Sequence, residues 1–578
     1  NRHAQQMQIN YELPLSKIPI LDFINAQYTY TSNFDWQRGG DALNLAVARA
    51  ENPGIPDEEL DLPSINTIQN ANTHNLTAAL SMQRLYDRLG LKKSNGKTLA
   101  NQIAPPRRDK AGNPKEGLQA DPPKKTSAFF NTAVDILTMV KRVNVNYSEN
   151  NGTVLPGYTR SIGFIGTTKP TLGFVLGSQA DVRFEAARSG WLTTFAEFNQ
   201  QFVRRTNKTL NITATALPVP ELTIDLIADR QFSSSLQENF RIEDGEYIPL
   251  SPNTFGNFSI STMMIGTAFG SSDEFGSDTF DTFRENRLTI ANRLLSERGG
   301  PDEGVDEDGF PLRYGKTSQD VLLPAFFAAY TGQDAGKVNL GAFRSVPIPN
   351  WNVKYTGLMK NKWFKKKFKR FSLSHGYRAA YSINSFQTNL ERSQLEEAGQ
   401  LPVDPETGNL LPEDIINNVV LNDQFNPLVR VDFEMQNSLS VVAEVRTDRA
   451  LSLSFDNNLL TEINGKEFTL GLGYRFKDVN FVTRLGGERQ RLKGDLNLKA
   501  DVSLRDNITI IRNLDIDNNQ ITSGQNLLSI KFTADYALTK NLNALFFYDH
   551  NFSQFAVSTA FPQTTNNAGF TLRYNFGN

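Results

Sequence analysis

The sequence contains no cysteine, which excludes a disulfide framework and every thiolate metal site. Histidine is scarce, at four residues in 578, and no HExxH, GxSxG or Walker pattern occurs. No run approaches the ~20 consecutive apolar residues that a spanning helix needs, and mean hydropathy is −0.40, so a helical inner-membrane protein is excluded. Neither sign of charge dominates: 60 Lys and Arg against 62 Asp and Glu give a net charge of −2. Without a concentrated basic face there is no electrostatic case for nucleic acid as a partner. A leader peptide is also missing, since Asn1 runs straight into a strand-like stretch, and the chain reads as a mature protein or a piece cut from a longer one.

What the sequence does have is Phe (40), Tyr (16), Gly (40) and a strict period of two. Phe468, Leu470, Leu472, Tyr474 and Phe476 alternate with Thr469, Gly471, Gly473 and Arg475. Leu496, Leu498, Ala500, Val502 and Leu504 alternate with Asn497, Lys499, Asp501 and Ser503. The pattern recurs in Leu528, Ile530, Phe532, Ala534 and Tyr536, in Ala568, Phe570, Leu572, Tyr574 and Phe576, over 371–383, and in Val429, Val431, Phe433 and Met435. Weaker examples lie near 3–13, 22–31, 65–84, 140–147, 210–217, 221–231, 255–265 and 351–358. Successive side chains of a strand point to opposite faces, so each segment carries one apolar and one polar face.

Roughly eighteen such segments are legible, each near the ~9–11 residues with which a tilted strand crosses an apolar layer. Strand length, aromatic residues toward strand ends (Tyr28 and Tyr30; Tyr474 and Phe476; Phe546, Phe547 and Tyr548) and uneven connections favour a membrane barrel over a soluble sandwich or solenoid. The expected fold class is all-β: a large transmembrane antiparallel β-barrel, or part of one, with long insertions carrying short helices. Tight turns are expected at Gln436-Asn437, Thr447-Asp448-Arg449, Arg505-Asp506-Asn507 and Thr539-Lys540-Asn541, and insertions at about 33–63, 87–138, 150–209, 266–349 and 386–427. Within them, Phe280, Phe283, Leu288, Ile290, Leu294 and Leu295 have helical spacing before Gly299-Gly300, and Ser318 is placed to cap a helix over Val321 to Tyr330 that stops at Gly332. These helices would either line a lumen or cap surface loops.

The polar phase of the strands carries Arg430, Asp432, Glu434, Lys499, Asp501, Lys531, Asp535 and Arg573. A cation costs ~2–4 kcal/mol at a bilayer midplane, so these eight are expected to face the lumen. The one strongly basic run, KNKWFKKKFKR at 360–370, reads either as a contact for anionic lipid or an acidic partner, or as a solvated turn beside headgroups. Two acidic stretches fail as calcium loops: Asp515, Asp517 and Asn519 are followed by Gln520 where Gly is needed, and DEDG at 306–309 is shorter still. His3, His74, His375 and His550 have no motif partner. No catalytic, metal-binding or cofactor-binding set emerges, and the expectation is a non-enzyme without cofactors.

Several stretches, NTIQNANTHN (66–75), NGTVLPGY (151–158), GSQADVRFEAARSGWLT (177–193), YGKTSQDVLLPAFFAAYTG (314–332), PNWNVKYTGL (349–358), LSHGYRAAY (373–381), DLNLKADVSLRDNITIIRN (495–513) and QITSGQNLLSIKFTADYAL (520–538), together resemble the SprA/Sov family. Its members are giant outer-membrane translocons of the type IX secretion system in Bacteroidetes. The resemblance implies the C-terminal part of one exceptionally wide barrel, with a lateral opening, that exports folded cargo bearing a C-terminal signal. It further implies as partners a PorV-like outer-membrane barrel protein, a plug subunit, outer-membrane lipid and the remaining barrel strands on another chain or segment, with energy supplied from the inner membrane. The last strand, 568–576, is expected to close onto a strand outside this chain and not onto the segment near 3–13, because lipid tolerates no open edge. Two other readings stay open: a nutrient-uptake barrel with an internal plug, and a soluble surface adhesin.

Overall fold

The alternating segments pair with one another, in chain order, into one antiparallel sheet. The computed structural model describes residues 2–91, 138–162, 167–298, 304–483, 490–516, 518–538, 541–557, 561–574 and 576. Seventeen strands occur among the described residues: β1 Arg2–Leu13, β2 Ile24–Arg38, β3 Asn66–Ser81, β4 Val140–Tyr158, β5 Phe202–Ala216, β6 Leu222–Glu243, β7 Glu246–Ser261, β8 Asn350–Tyr355 and β9 Phe368–Thr388, then β10 Asp414–Ile416, β11 Asn418–Met435, β12 Leu439–Ser454, β13 Leu459–Thr483, β14 Gln490–Asn513, β15 Asn519–Ala537, β16 Leu542–Phe555 and β17 Gln563–Tyr574. The fold class is the expected one, all-β and antiparallel, with short helices confined to the connections.

Seventeen strands make fewer crossings than the expected eighteen. Strand β6 pairs with β7 over 230–243 and with β8 over 222–227, and β9 likewise pairs with both. β7 and β8 are therefore two halves of one lane, interrupted by 262–349. The short β10 shares β11's lane beside β9. Merging these two pairs leaves fifteen lanes, each antiparallel to its neighbours. An odd number of alternating lanes makes the first and last, β1 and β17, run in the same direction. Among the described residues β1 pairs with β2 alone and β17 with β16 alone, and no register joins the two.

The strands also run further than the apolar alternation does. β13 and β14 have 25 and 24 residues, well beyond the ~9–11 of a crossing. Two expected turns are consequently wrong. Thr447-Asp448-Arg449 lies inside β12, paired with 464–466, and Arg505-Asp506-Asn507 lies inside β14, paired with 465–467 of β13. Their charges mark no turn because they are satisfied across strands: Arg505 bonds Asp448 at 3.2 Å, and Arg449 bonds Asp423 at 2.9 Å. The chain instead reverses at 436–438, as expected, and after Ser454 and Asn513. Thr539 and Lys540 lie outside the described residues.

Three insertions are shorter than expected for the same reason, spanning 39–65, 159–201 and 389–417, while the fourth, 262–349, begins four residues earlier than expected. That at 87–138 lies almost wholly outside the described residues. The helix Asp278–Arg298 buries Phe280, Phe283, Ile290 and Leu294, but Leu288 points outward and Arg287 takes its place on the buried side. Residues 283, 287, 290 and 294 share one stripe at helical spacing, whereas 288 lies round the side. The helix Gln319–Thr331 is buried over Val321 to Tyr330. Ser318 precedes it without a side-chain cap bond, and Gly332, at φ 69°, closes it as expected. Gly299 and Gly300 lie outside the described residues.

Candidate functional site

Following the registers from strand to strand sorts the side chains onto two faces. One carries Ile9 and Tyr11 of β1, Val429 and Phe433 of β11, Phe468, Leu472 and Phe476 of β13, Leu504 of β14 and Phe570, Leu572 and Tyr574 of β17. Many of these are exposed, for instance Phe468 at 45% and Leu572 at 59%. Together they form an apolar belt across the lanes, at the end of the strands where the chain turns over 14–23, 217–221 and 436–438. Large exposed apolar patches on a folded chain mark contact with an apolar phase or a partner.

The opposite face carries all eight residues singled out from sequence. Arg430, Asp432, Glu434, Lys499, Asp501, Lys531, Asp535 and Arg573 share it by register, with Asp501 directly opposite Lys531. Three of them join a chain of ion pairs. Arg430 bonds Glu444 at 2.8 Å, Glu444 also holds Arg446, and Arg446 and Arg505 reach Glu467 at 3.7 and 3.4 Å. Arg370 bonds Asp432 at 3.1 Å and Lys369 bonds Glu434 at 2.8 Å. Gly471 leaves the space that Asp501 uses: a Cβ there would lie 2.5 Å from Asp501 Oδ1.

At the strand ends far from those turns, the belt's own face is covered by the insertions. This decides between the two expectations for the helices: they pack on the belt face and do not lie against the charged face. The Met264 N–H donates to the Tyr377 hydroxyl at 2.7 Å, Tyr381 donates to Ala342 O at 3.1 Å, and Phe327 meets Tyr381 edge to face. Arg344, buried over the ring of Phe327, is held below the usual guanidinium range by burial. Arg287 is lowered for the same reason, despite Asp515 3.9 Å away.

Sequence reasoning missed the polar residues that hold these covers down. Asp423, Arg449, Glu462 and Arg512 lie in the phase that is apolar nearer the turns. Arg512, fully buried, bonds Glu462 at 3.1 Å and donates to Ser272 Oγ and Asp273 O at 2.8 Å each. Arg449 donates to Thr267 O at 2.8 Å. On the same face, toward the other flank of the sheet, Asn70 and Asn72 of β3 are buried and donate to Phe174 O (2.9 Å), Ser178 O (2.8 Å) and Gly177 O (2.7 Å). Gly177, at φ 92°, lets that loop approach, since a Cβ would fall 2.5 Å from Ser32 Cβ. A charge or amide breaking an apolar phase was the available signal.

Three of the four histidines bond a residue of a neighbouring strand. His74 bonds the Tyr28 hydroxyl at 2.6 Å, His375 bonds Leu428 O at 2.7 Å and His550 bonds Asn566 at 2.7 Å. Among the described residues no group of three or more His, Asp or Glu is arranged to hold a metal. Asp308 instead bonds Lys316 at 2.6 Å, which lowers its carboxyl.

No protein-family model matches this chain, and no curated protein does. Among solved structures it is similar to the RagAB peptide transporter, at 7% identity and a TM-score of 0.26 over 94% of this chain and 49% of that one. It is also similar to the FrpB iron transporter from Neisseria meningitidis, at 7% identity and a TM-score of 0.25, covering 96% and 62%. A third is the outer membrane protein OmpT of Vibrio cholerae, at 10% identity and 0.17, covering 65% and 99%. The chain spans about half the length of the RagAB structure. Overlaps this loose carry no weight for function.

Proposed function

We propose that this chain is part of the wall of a wide outer-membrane β-barrel that conducts folded proteins outward, in the manner of a type IX secretion translocon, and that it conducts without catalysing. The observation that carries the membrane reading is the exposed apolar belt on one face, backed by ion-paired charge on the other. A belt of this kind faces lipid and its charged reverse lines an aqueous lumen.

Strand parity supports a larger wall. Direct closure of β17 on β1 would place two parallel strands side by side, whereas bacterial barrels alternate throughout with an even strand number. Fifteen lanes closed on themselves would also leave only the width of an aqueous channel, too narrow for a folded domain. Further strands, supplied by another segment or chain, complete the ring in this reading, with a PorV-like barrel and a plug subunit as the partners that the family resemblance implies.

The chain has no native cysteine, so single cysteines report its topology cleanly. A charged, impermeant thiol reagent applied to intact membranes labels cysteines at Lys499, Asp501 and Asp535 and spares those at Leu498 and Phe532. The reverse pattern would overturn the assignment of faces.

A further inference from the structure

The basic run at 360–370 is not used by the channel reading, and its placement gives it a role. It forms a 3-10 turn at Gly357–Lys360 and a short helix, Lys362–Lys367, that joins β8 to β9 at the turn end of the belt. Its aromatic side chains are continuous with the belt. Trp363 packs edge to face on Phe364 and Phe368, Phe364 and Phe368 each meet Phe371, and Phe371 stacks on Phe433 at 5.8 Å. Phe371 and Phe433 are register partners on the belt face, so this ladder fixes the helix at the belt's margin. Trp363 itself is 58% exposed.

The charge beside it is of one sign. Lys360 and Lys369 have acidic partners, Glu221 and Glu434. Lys362, Lys365, Lys366 and Lys367 are exposed, and no ion pair is recorded for them among the described residues. Four unneutralised ammonium groups within six residues repel one another and cost stability unless something anionic meets them.

We infer that this segment is a headgroup anchor: Trp363 and the phenylalanines enter the interfacial layer, and the four lysines bind anionic glycerophospholipid in the leaflet at the turn end. Aromatic side chains with adjoining cations are the pairing that suits a membrane interface. The inference rests on the belt facing lipid. An acidic protein could meet the lysines, but it would not explain an exposed tryptophan continuous with the belt.

The test uses the full chain reconstituted into phosphatidylcholine vesicles containing either brominated phosphatidylglycerol or brominated phosphatidylcholine at equal fraction. The Trp363 signal is the difference between the chain and its Trp363→Phe variant. Brominated phosphatidylglycerol is expected to quench it preferentially, and the combined Lys362→Gln, Lys365→Gln, Lys366→Gln and Lys367→Gln variant to lose at least about fivefold in that preference, the contribution of a single engaged lysine. Equal quenching by both lipids in the unmodified chain, or an unchanged preference in the variant, would overturn the anchor while leaving the belt intact. Failure of the chain to float with either vesicle would overturn the belt reading itself, and the anchor with it.

Discussion

Replacing Leu472 by arginine is expected to destabilise the bilayer-embedded chain by ~2–4 kcal/mol, the cost of a guanidinium near the midplane on the lipid face of a barrel. Leu472 is 44% exposed and sits mid-belt on β13, between Phe468 and Phe476, opposite Val441 of β12 and Ala500 of β14. The same residue placed one lane across on the other face, Asn497→Arg, lands in register between Asp535 and Arg475, which Asp495 already neutralises, and should change stability by no more than ~1 kcal/mol. Urea unfolding of both variants from vesicles measures the difference. If the two substitutions cost the same, the belt does not face lipid.

The second large effect concerns the outer cover. Glu462→Ala leaves the fully buried Arg512 guanidinium without its carboxylate, and removing one partner of a buried pair costs ~3–5 kcal/mol. Arg512 also anchors Ser272 and Asp273 and lies over Phe280, so the loss should release the insertion 262–349 first. Limited proteolysis should then cut within that insertion at protease levels that leave the unmodified chain whole, with the strands still protected. The joint replacement Glu462→Leu with Arg512→Leu should regain most of the stability, because no unpaired charge remains. Intact resistance in Glu462→Ala would mean that the pair does not hold the cover.

These two sites show what alternation does and does not reveal. Leu472 was legible because side-chain direction follows from a period of two, and all eight charged residues of the opposite phase fall on one face for the same reason. Glu462 and Arg512 were not, because they keep the apolar phase but carry charge, and only pairing with a distant insertion makes that tolerable. The same effect hid the strand ends: Thr447-Asp448-Arg449 and Arg505-Asp506-Asn507 look like turns until their cross-strand partners are known. Lane number depends on long-range pairing too. The segments near 255–265 and 351–358 read as separate crossings, and the strands formed there, β7 and β8, prove to be one lane interrupted by an insertion. Helical spacing located the stripe of Asp278–Arg298, but a stripe does not say which face of a sheet it will cover.

The most direct test of the wall itself is an electron-microscopy map of the particle extracted from the outer membrane in mild detergent. The account predicts a ring of many more than fifteen strands, with the detergent belt on the face bearing Leu472 and Phe570. In such a map the free edges of β1 and β17 each lie against an antiparallel strand from outside residues 1–578. A closed ring in which β17 lies directly beside β1 would contradict it, since that pore would be too narrow for folded cargo.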